Sequence, residues 1–314
     1  MPEQMLECKD LTKIYNGKTK ALDRVSFSIP LKGIFSLVGR NGAGKTTLIR
    51  ILATELMPTS GSAKINGIDV VKEPEAIRKE IAVLPQESRM IPWLTSAQEI
   101  FTYLLYRGTE VSEAKRRVDR VLRDFGLTAY KDVRSDKLSG GTKRKVLVAT
   151  IVASGARILF VDEPTTGLDP ISRQEMWRAL KRLKEKHFIF LTTHYLEEAE
   201  ELADRIGIID NGKLLAIGTI DELRNRFKYQ YSIRIQKGSL SGAIKPKPGM
   251  GVVKQGIDGA SQILANKEEA LRISNLLAKA GSGFSMNPIS LEDMFYYLVR
   301  SPINYGEDSG SEEW

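Results

Sequence analysis

Cysteine is almost absent: Cys8 is the single one among 314 residues. One cysteine excludes an internal disulfide and fits a reducing compartment. Long apolar runs are missing too. The longest, from Val146 to Ala156, is interrupted by Thr150 and Ser154 and stops at Arg157, too short to span a bilayer. The N-terminus, Met1-Pro2-Glu3-Gln4, lacks the basic and apolar regions of a secretory signal, so none is expected. A membrane role would therefore require a partner. There is no internal repeat and no module interleaving aromatic with basic residues, so nucleic acid is not an expected partner. The net charge of +8 is spread over stretches such as Lys115-Arg116-Arg117, interleaved with acids. That pattern describes solvated helix faces and is compatible with attraction to an anionic membrane surface. The length suits two domains, or one large domain with an appendage, and the 42% hydrophobic content is that of an ordinary soluble chain.

One motif stands out against these absences. The buried-type strand Ile34-Phe35-Ser36-Leu37-Val38 runs straight into Gly39-Arg40-Asn41-Gly42-Ala43-Gly44-Lys45-Thr46. This is G-x-x-x-x-G-K-T, a loop that wraps phosphate. Glycines let consecutive backbone N–H groups point inward at phosphate oxygens. Lys45 is expected to reach the β- and γ-phosphates, and the Thr46 hydroxyl to face Mg²⁺. From Thr47 to Ala53 a helix is expected, its positive end toward the same anion. A Gly-rich turn between strand and helix is the bland alternative, and the full spacing leaves it little room.

Elsewhere strands and helices alternate, which places the chain in the α/β class. Short strands are expected at Met5-Leu6-Glu7-Cys8 and Val25-Ser26-Phe27-Ser28-Ile29, with a turn at Asn16-Gly17. A strand pair turns at Asn66-Gly67, and Ile81-Ala82-Val83-Leu84 stops at Pro85. Val118, Val121, Leu122 and Phe125 share one helix face, ended by Gly126. Ile158-Leu159-Phe160-Val161 and Phe188-Ile189-Phe190-Leu191 are continuous apolar strands, as inside a parallel sheet. A boundary is expected near Phe227, giving domains at 1–226 and 227–303 and an acidic, disordered tail at 304–314. The second is read as a small α+β domain. Its Tyr231, Ile233 and Ile235 alternate like a strand, and a Gly/Pro/Lys-rich stretch occupies 238–251. A helix runs from Lys267 to Ala280, and a last helix is capped by Ser290 and Asp293.

Two further segments carry chemistry. The strand ending in Asp162-Glu163 is expected to adjoin the phosphate-loop strand, with Asp162 holding Mg²⁺ and Glu163 polarising a water as general base. Alone, two solvated acids at a strand end would be the plain reading. Leu138-Ser139-Gly140-Gly141-Thr142 opens an apolar helix, where Ser139 could be an ordinary cap. Taken in order, the phosphate loop, Pro85-Gln86, Ser139-Gly140-Gly141, Asp162-Glu163, Gly167-Leu168-Asp169 and His194 resemble the motifs of ATP-binding cassette (ABC) ATPases. The resemblance covers about Met5 to Gly218. It departs from the commonest pattern at Thr142, where Gln usually follows Ser-Gly-Gly.

The resemblance implies a P-loop NTPase fold: a RecA-like core, an antiparallel β subdomain and a helical subdomain. It implies that Tyr15 stacks on adenine, although a half-exposed strand tyrosine is a serious competitor. ATP would be bound by Gly39, Asn41, Gly42, Ala43, Gly44, Lys45, Thr46 and Thr47. Ser139, Gly140, Gly141 and Asp169 would face the nucleotide of a second cassette, identical or related. Mg²⁺ would be held by Thr46, Gln86 and Asp162, and hydrolysis assisted by Glu163, Gln86 and His194. His187 is expected to be structural. The implied function is the ATP-hydrolysing motor of a transporter, working as a head-to-tail dimer at the cytoplasmic face of the membrane on separate transmembrane subunits. Ile289-Ser290-Leu291-Glu292-Asp293-Met294-Phe295 resembles the end of exporter motors, which points to export. Met90, Ile91, Pro92, Trp93 and Leu94 are expected to meet the membrane subunit. The alternative is a soluble ABC-type ATPase acting on nucleic acid or ribosomes. One cassette and no long heptad run disfavour it.

Overall fold

The computed structural model describes residues 4–235, 254–255 and 261–300. The chain divides into two compact units, Met1–Ile217 and Gly218–Trp314.

In the first unit, β1 (Met5–Tyr15) and β2 (Thr19–Pro30) form a long antiparallel hairpin. Its turn uses left-handed backbone at Asn16 and Gly17, as the Asn-Gly pair predicts. Next come β3 (Ile34–Val38), α1 (Lys45–Leu52), β4 (Ser60–Ile65) and β5 (Ile68–Asp69). They are followed by α2 (Pro74–Glu80), β6 (Ile81–Leu84), α3 (Ser96–Tyr106), α4 (Val111–Asp124) and α5 (Gly140–Ala153). The unit continues with β7 (Ile158–Asp162), α6 (Pro170–Leu183), β8 (Phe188–Thr193) and α7 (Leu196–Leu202), and ends with β9 (Arg205–Asp210) and β10 (Lys213–Gly218). One sheet has the order β2-β1-β4-β5, the other β10-β9-β3-β8-β7-β6. In the larger sheet β3 runs parallel to β8 and β9, and β7 parallel to β6 and β8.

The apolar strands of the larger sheet are covered on both faces, which is why they show no polar alternation. Ala82, Leu84, Leu159, Val161, Ile189 and Leu191 pack with the helices α3, α4 and α5. Their neighbours Phe35, Ile158, Phe160, Phe188 and Phe190 pack on the other side with α1 and the antiparallel sheet. Val118, Val121, Leu122 and Phe125 are buried along α4, and Gly126 follows in a left-handed conformation.

One expectation is overturned. β7, which ends in Asp162, does not adjoin the phosphate-loop strand, because β8 lies between β3 and β7. The crossover that follows β7 brings the chain back on its inner side, so Asp162 pairs in register with Thr192 of β8. The strands β9 and β10 carry no motif, and no strand was expected there.

The second unit begins with α8 (Ile220–Arg226), where Thr219 and Glu222 form a reciprocal capping box. It contains β11 (Tyr231–Ile235), β12 (Lys254–Gln255), β13 (Ser261–Ala265), α9 (Lys267–Lys279), β14 (Phe284–Pro288) and α10 (Leu291–Arg300). The sheet order is β12-β13-β11-β14. Ile233, Ile235, Ile263, Ile273 and Leu277 form its core. The opposite face of β11 carries Ser232, whose hydroxyl accepts a bond from Gln262. Ser290 and Asp293 exchange bonds at the start of α10, as their spacing predicts. Phe227, Tyr229 and Tyr297 meet edge to face. The stretch 238–251 and the tail 304–314 lie outside the described residues.

Candidate active site

The loop from Gly39 to Gly44 joins β3 to α1, and its glycines answer two steric demands. A Cβ on Gly44 (φ 107°) would sit 2.4 Å from the Ala21 carbonyl, and one on Gly39 would sit 2.4 Å from the Ile209 carbonyl. The loop is thus pressed between the β1–β2 hairpin and β9, where a side chain has no space. Helix α1 starts at Gly44 without a side-chain cap. Its first-turn N–H groups are therefore left for an anion. Lys45 is 4% exposed, and its Nζ donates to the carbonyls of Gly39 (2.8 Å) and Arg40 (3.1 Å). Asn41 and Gly42 are exposed, Ala43 is buried and Thr47 is half-buried.

Two buried carboxylates face this loop. Thr46 Oγ1 donates to Asp162 Oδ2 at 2.7 Å, and Thr192 Oγ1 donates to the other oxygen of Asp162. Glu163, 5% exposed, gathers four partners. Lys45 Nζ lies 3.3 Å from Oε1. Gln86 Nε2 (3.2 Å), Thr166 Oγ1 (3.0 Å) and His194 Nδ1 (3.0 Å) lie around Oε2. Charges buried to this degree need such partners. Glu163 also has left-handed backbone, with φ 48°. That conformation costs a non-glycine residue about 1–3 kcal/mol and persists only when the surroundings enforce it. Here its N–H donates to the backbone carbonyl of Thr192 at 3.1 Å.

The structure adds a residue that the sequence reading missed. Arg144 lies one turn into α5 and is buried. Its guanidinium donates to the carbonyls of Pro164 (3.0 Å), Asp162 (3.0 Å), Glu163 (3.1 Å) and Gln86 (3.3 Å). Burial pulls its pKa down, opposed by the nearby charges of Asp162 and Glu163. One side chain thus fastens the Gln86 loop and the loop after β7 to α5. In the sequence it sits inside Lys143-Arg144-Lys145, which reads as a solvated basic run. The only available signal was its place next to an apolar helix stretch.

A second group forms where two helices begin side by side. Ser139 caps α5 by accepting from the Thr142 N–H at 3.2 Å, and the two hydroxyls lie 2.9 Å apart. Asp169 Oδ1 caps α6 by accepting from the N–H groups of Ile171 and Ser172, both at 3.0 Å. Bonding to Ser172 holds the Asp169 carboxyl below the usual range. A Cβ on Gly141 would meet the Ser172 hydroxyl at 2.4 Å, so glycine permits the close approach of α5 and α6. Ser139 and Gly140 are exposed. Among the described residues no hydrogen bond joins this group to Lys45 or Thr46. A cavity of about 720 Å³ is lined by Gln86, Glu163 and Thr166 on one side and by Gly140 and Lys143 on the other.

Tyr15 stands apart at the end of β1, half-buried, with Lys13 Nζ 5.4 Å from its ring centre. His187 also lies outside the cluster, its Nδ1 2.7 Å from the Ala156 carbonyl. Met90 is buried, whereas Ile91 and Trp93 are exposed, Trp93 by 67%. No group of three His, Cys, Asp or Glu side chains able to hold a metal occurs among the described residues. Thr46 and Asp162 bring oxygens of the kind that Mg²⁺ takes within 2.7 Å of one another, and Gln86 lies against the neighbouring Glu163.

Comparison with known proteins agrees with this geometry. Residues 22–166 match the family described as ABC transporter. The chain is 38% identical over 225 residues to the daunorubicin/doxorubicin resistance ATP-binding protein of Streptomyces peucetius, covering 71% of this chain and 68% of that one. It is 41% identical over 211 residues to the doxorubicin resistance ATP-binding protein of Mycobacterium tuberculosis, covering 67% of this chain and 64% of that one. An Arabidopsis thaliana ABC transporter A family member 7 is 32% identical over 314 residues, with 34% of its own length covered. Among solved structures, an ATP binding subunit of an ABC transporter superposes with a TM-score of 0.63 at 31% identity, covering 71% of this chain and 93% of that one. A dimeric ATP-binding cassette in a post-hydrolysis state, bound to ADP and Pi, superposes with a TM-score of 0.62 at 25% identity, covering 68% of this chain and 98% of that one. No described helix is long and apolar enough to cross a membrane. The chain belongs to the ATP-binding subunits of ABC transporters and is an ATPase of the cassette fold.

Proposed function

We propose that this chain hydrolyses Mg²⁺·ATP as one half of a head-to-tail cassette dimer and drives separate transmembrane subunits in export. The observation that carries the catalytic part is the convergence of Lys45, Gln86 and His194 on Glu163, beside an Asp162 already bonded to Thr46. In this reading the loop N–H groups and Lys45 bind the phosphates, Lys45 exchanging its loop carbonyls for phosphate oxygens. Asp162, Thr46 and Gln86 would hold Mg²⁺, which would supply positive charge to offset that of the substrate phosphates. Glu163 takes a proton from the water whose oxygen forms the new bond to the γ-phosphorus. The bond from that phosphorus to the bridging oxygen breaks, and ADP leaves with its electron pair. Gln86 orients the water, and His194 bonds the γ-phosphate.

The Ser139 and Asp169 group supports the dimer, because the start of α5 at Ser139 and Gly140 is exposed and open to a phosphate brought from outside the chain. The exposed Ile91 and Trp93 support a membrane subunit as the partner beyond the second cassette, and a position on the cytoplasmic face of the membrane. Names of relatives that confer drug resistance support export. The residues after Phe227 take no part in ATP chemistry, since every group assigned to it precedes them. The test is phosphate release by the purified chain with ATP, with and without Mg²⁺. Release that requires Mg²⁺ is expected, and release unaffected by chelation would overturn the assignment of the metal.

A further inference from the structure

Glu198 lies on α7, four residues after His194, and belongs to none of the motifs. It is fully buried. Its Oε1 accepts from Thr165 Oγ1 at 2.7 Å and from Trp177 Nε1 at 2.8 Å. Among the described residues its Oε2 is buried without a hydrogen-bond partner. Burial pushes its pKa up, opposed by Thr193, Thr165 and Trp177 and by the charge of Arg173. These neighbours are not arbitrary. Thr165 follows Glu163 by two residues. Trp177 lies on α6, the helix capped by Asp169. Arg173, also on α6, covers the Tyr195 ring at 4.3 Å, and the Tyr195 ring lies against that of His194, tilted by 40° with ring centres 4.1 Å apart. A buried polar group in an apolar interior is costly unless its bonds are specific, so a single packing arrangement is favoured over its slipped alternatives.

We propose that Glu198 is a positioning residue of the hydrolytic site: its carboxyl ties α7, and with it the His194 segment, to the loop after Glu163 and to α6. The inference rests on the hydrolytic reading given above. Glu198 acts through Thr165 on the left-handed turn at Glu163 and through α7 on His194, and so fixes the distance at which those two side chains meet. Apolar substitution is expected to leave the phosphate loop in place, because among the described residues neither Lys45 nor Thr46 bonds to Glu198.

The experiment is steady-state phosphate release by the full chain with Mg²⁺·ATP, alongside binding of a fluorescent ATP analogue and thermal melting. Glu198→Leu is expected to lower kcat ~10-fold with KM and analogue affinity unchanged, since small misplacements of catalytic groups have effects of this size or larger. Glu198→Gln restores kcat, because its amide oxygen accepts the same two bonds. Thr165→Val, which removes one of them, lowers kcat without moving KM. Wild-type kcat in a folded Glu198→Leu, or Glu198→Gln as impaired as Glu198→Leu, overturns the proposal. Should Glu198→Leu fail to fold, Thr165→Val and Trp177→Phe decide: a fall in kcat at constant KM supports it, and wild-type kcat in both overturns it. A wild-type chain that releases no phosphate overturns the hydrolytic reading and this proposal together; the variants at wild-type rate overturn this proposal alone.

Discussion

The phosphate loop and the paired helix starts at Ser139 and Asp169 treat their polar groups in opposite ways. Around Lys45 the charged side chains are buried and bonded to one another: Lys45 to Glu163 and to two carbonyls, Thr46 to Asp162. At Ser139 and Asp169 the side chains bond only to the first turns of their own helices, and Ser139 and Gly140 face solvent. The first site is organised from within and must exchange bonds to take a ligand. The second has made only local bonds and is organised for something arriving from outside. On this contrast, substitutions in the first should alter chemistry and nucleotide affinity in the isolated chain. Those in the second should leave the nucleotide affinity of the isolated chain alone and alter function only when two chains meet.

The largest effect is expected from Glu163→Gln, which keeps the shape and removes the basicity. Hydrolysis should fall by roughly 10²–10⁴-fold, the usual contribution of a general base, while ATP binding persists. Gel filtration with ATP should then show an accumulated dimer. Phosphate release at the wild-type rate would remove Glu163 from the role of base. Lys45→Ala should come next. A hydrogen bond to a charged group contributes about 1.5–3 kcal/mol, so affinity for ATP by calorimetry should fall by roughly ten- to a hundredfold. Intact affinity would show that Lys45 serves its bonds to Glu163 and the loop carbonyls and not the nucleotide.

Tyr15→Ala sharpens the comparison from a third position. Stacking of a base on an aromatic ring contributes about 1–3 kcal/mol, so affinity should drop by that amount and return in Tyr15→Phe. Unchanged affinity would make Tyr15 a structural residue of β1. Ser139→Ala should cost about 1 kcal/mol of stability through the lost cap, read from urea melts. It should leave ATP affinity of the monomer unchanged and reduce the dimer seen with Glu163→Gln. A loss of monomer affinity would break the division drawn here. The smallest effect on the purified chain is expected from Trp93→Glu, since an exposed ring gives up little on substitution. ATPase activity should be retained, and co-purification with a membrane subunit should be lost. Retained co-purification would exclude the Trp93 surface as the docking site.

Most of what local pattern can encode was legible. The G-x-x-x-x-G-K-T spacing located β3, the loop and α1, and apolar runs located β6, β7 and β8. Ser290 and Asp293 marked the start of α10 three residues apart. What escaped depends on pairing across the sheet. That β8 separates β3 from β7 follows from strand order, which no short window contains. The same holds for Thr192, which meets Asp162 across 30 residues, and for Arg144, whose partner Gln86 lies 58 residues away. Glu198 looks in sequence like any acid in Leu196-Glu197-Glu198-Ala199-Glu200-Glu201. Only the packing of α7 separates it from its solvated neighbours. The functional motifs were legible because phosphate binding uses consecutive backbone groups. The supporting residues were not, because they act over distance.

The lone thiol offers a use unconnected with ATP. Cys8 sits on β1 at 5% exposure, and burial pushes its pKa up. The thiolate is the reactive form, so alkylating reagents should pass the folded chain by. A second cysteine introduced at a chosen surface position would carry a dye or spin label alone, with no need to remove the first. Conversely, the rate at which Cys8 itself is modified measures how often the antiparallel sheet opens, a clock for local unfolding already present in the chain.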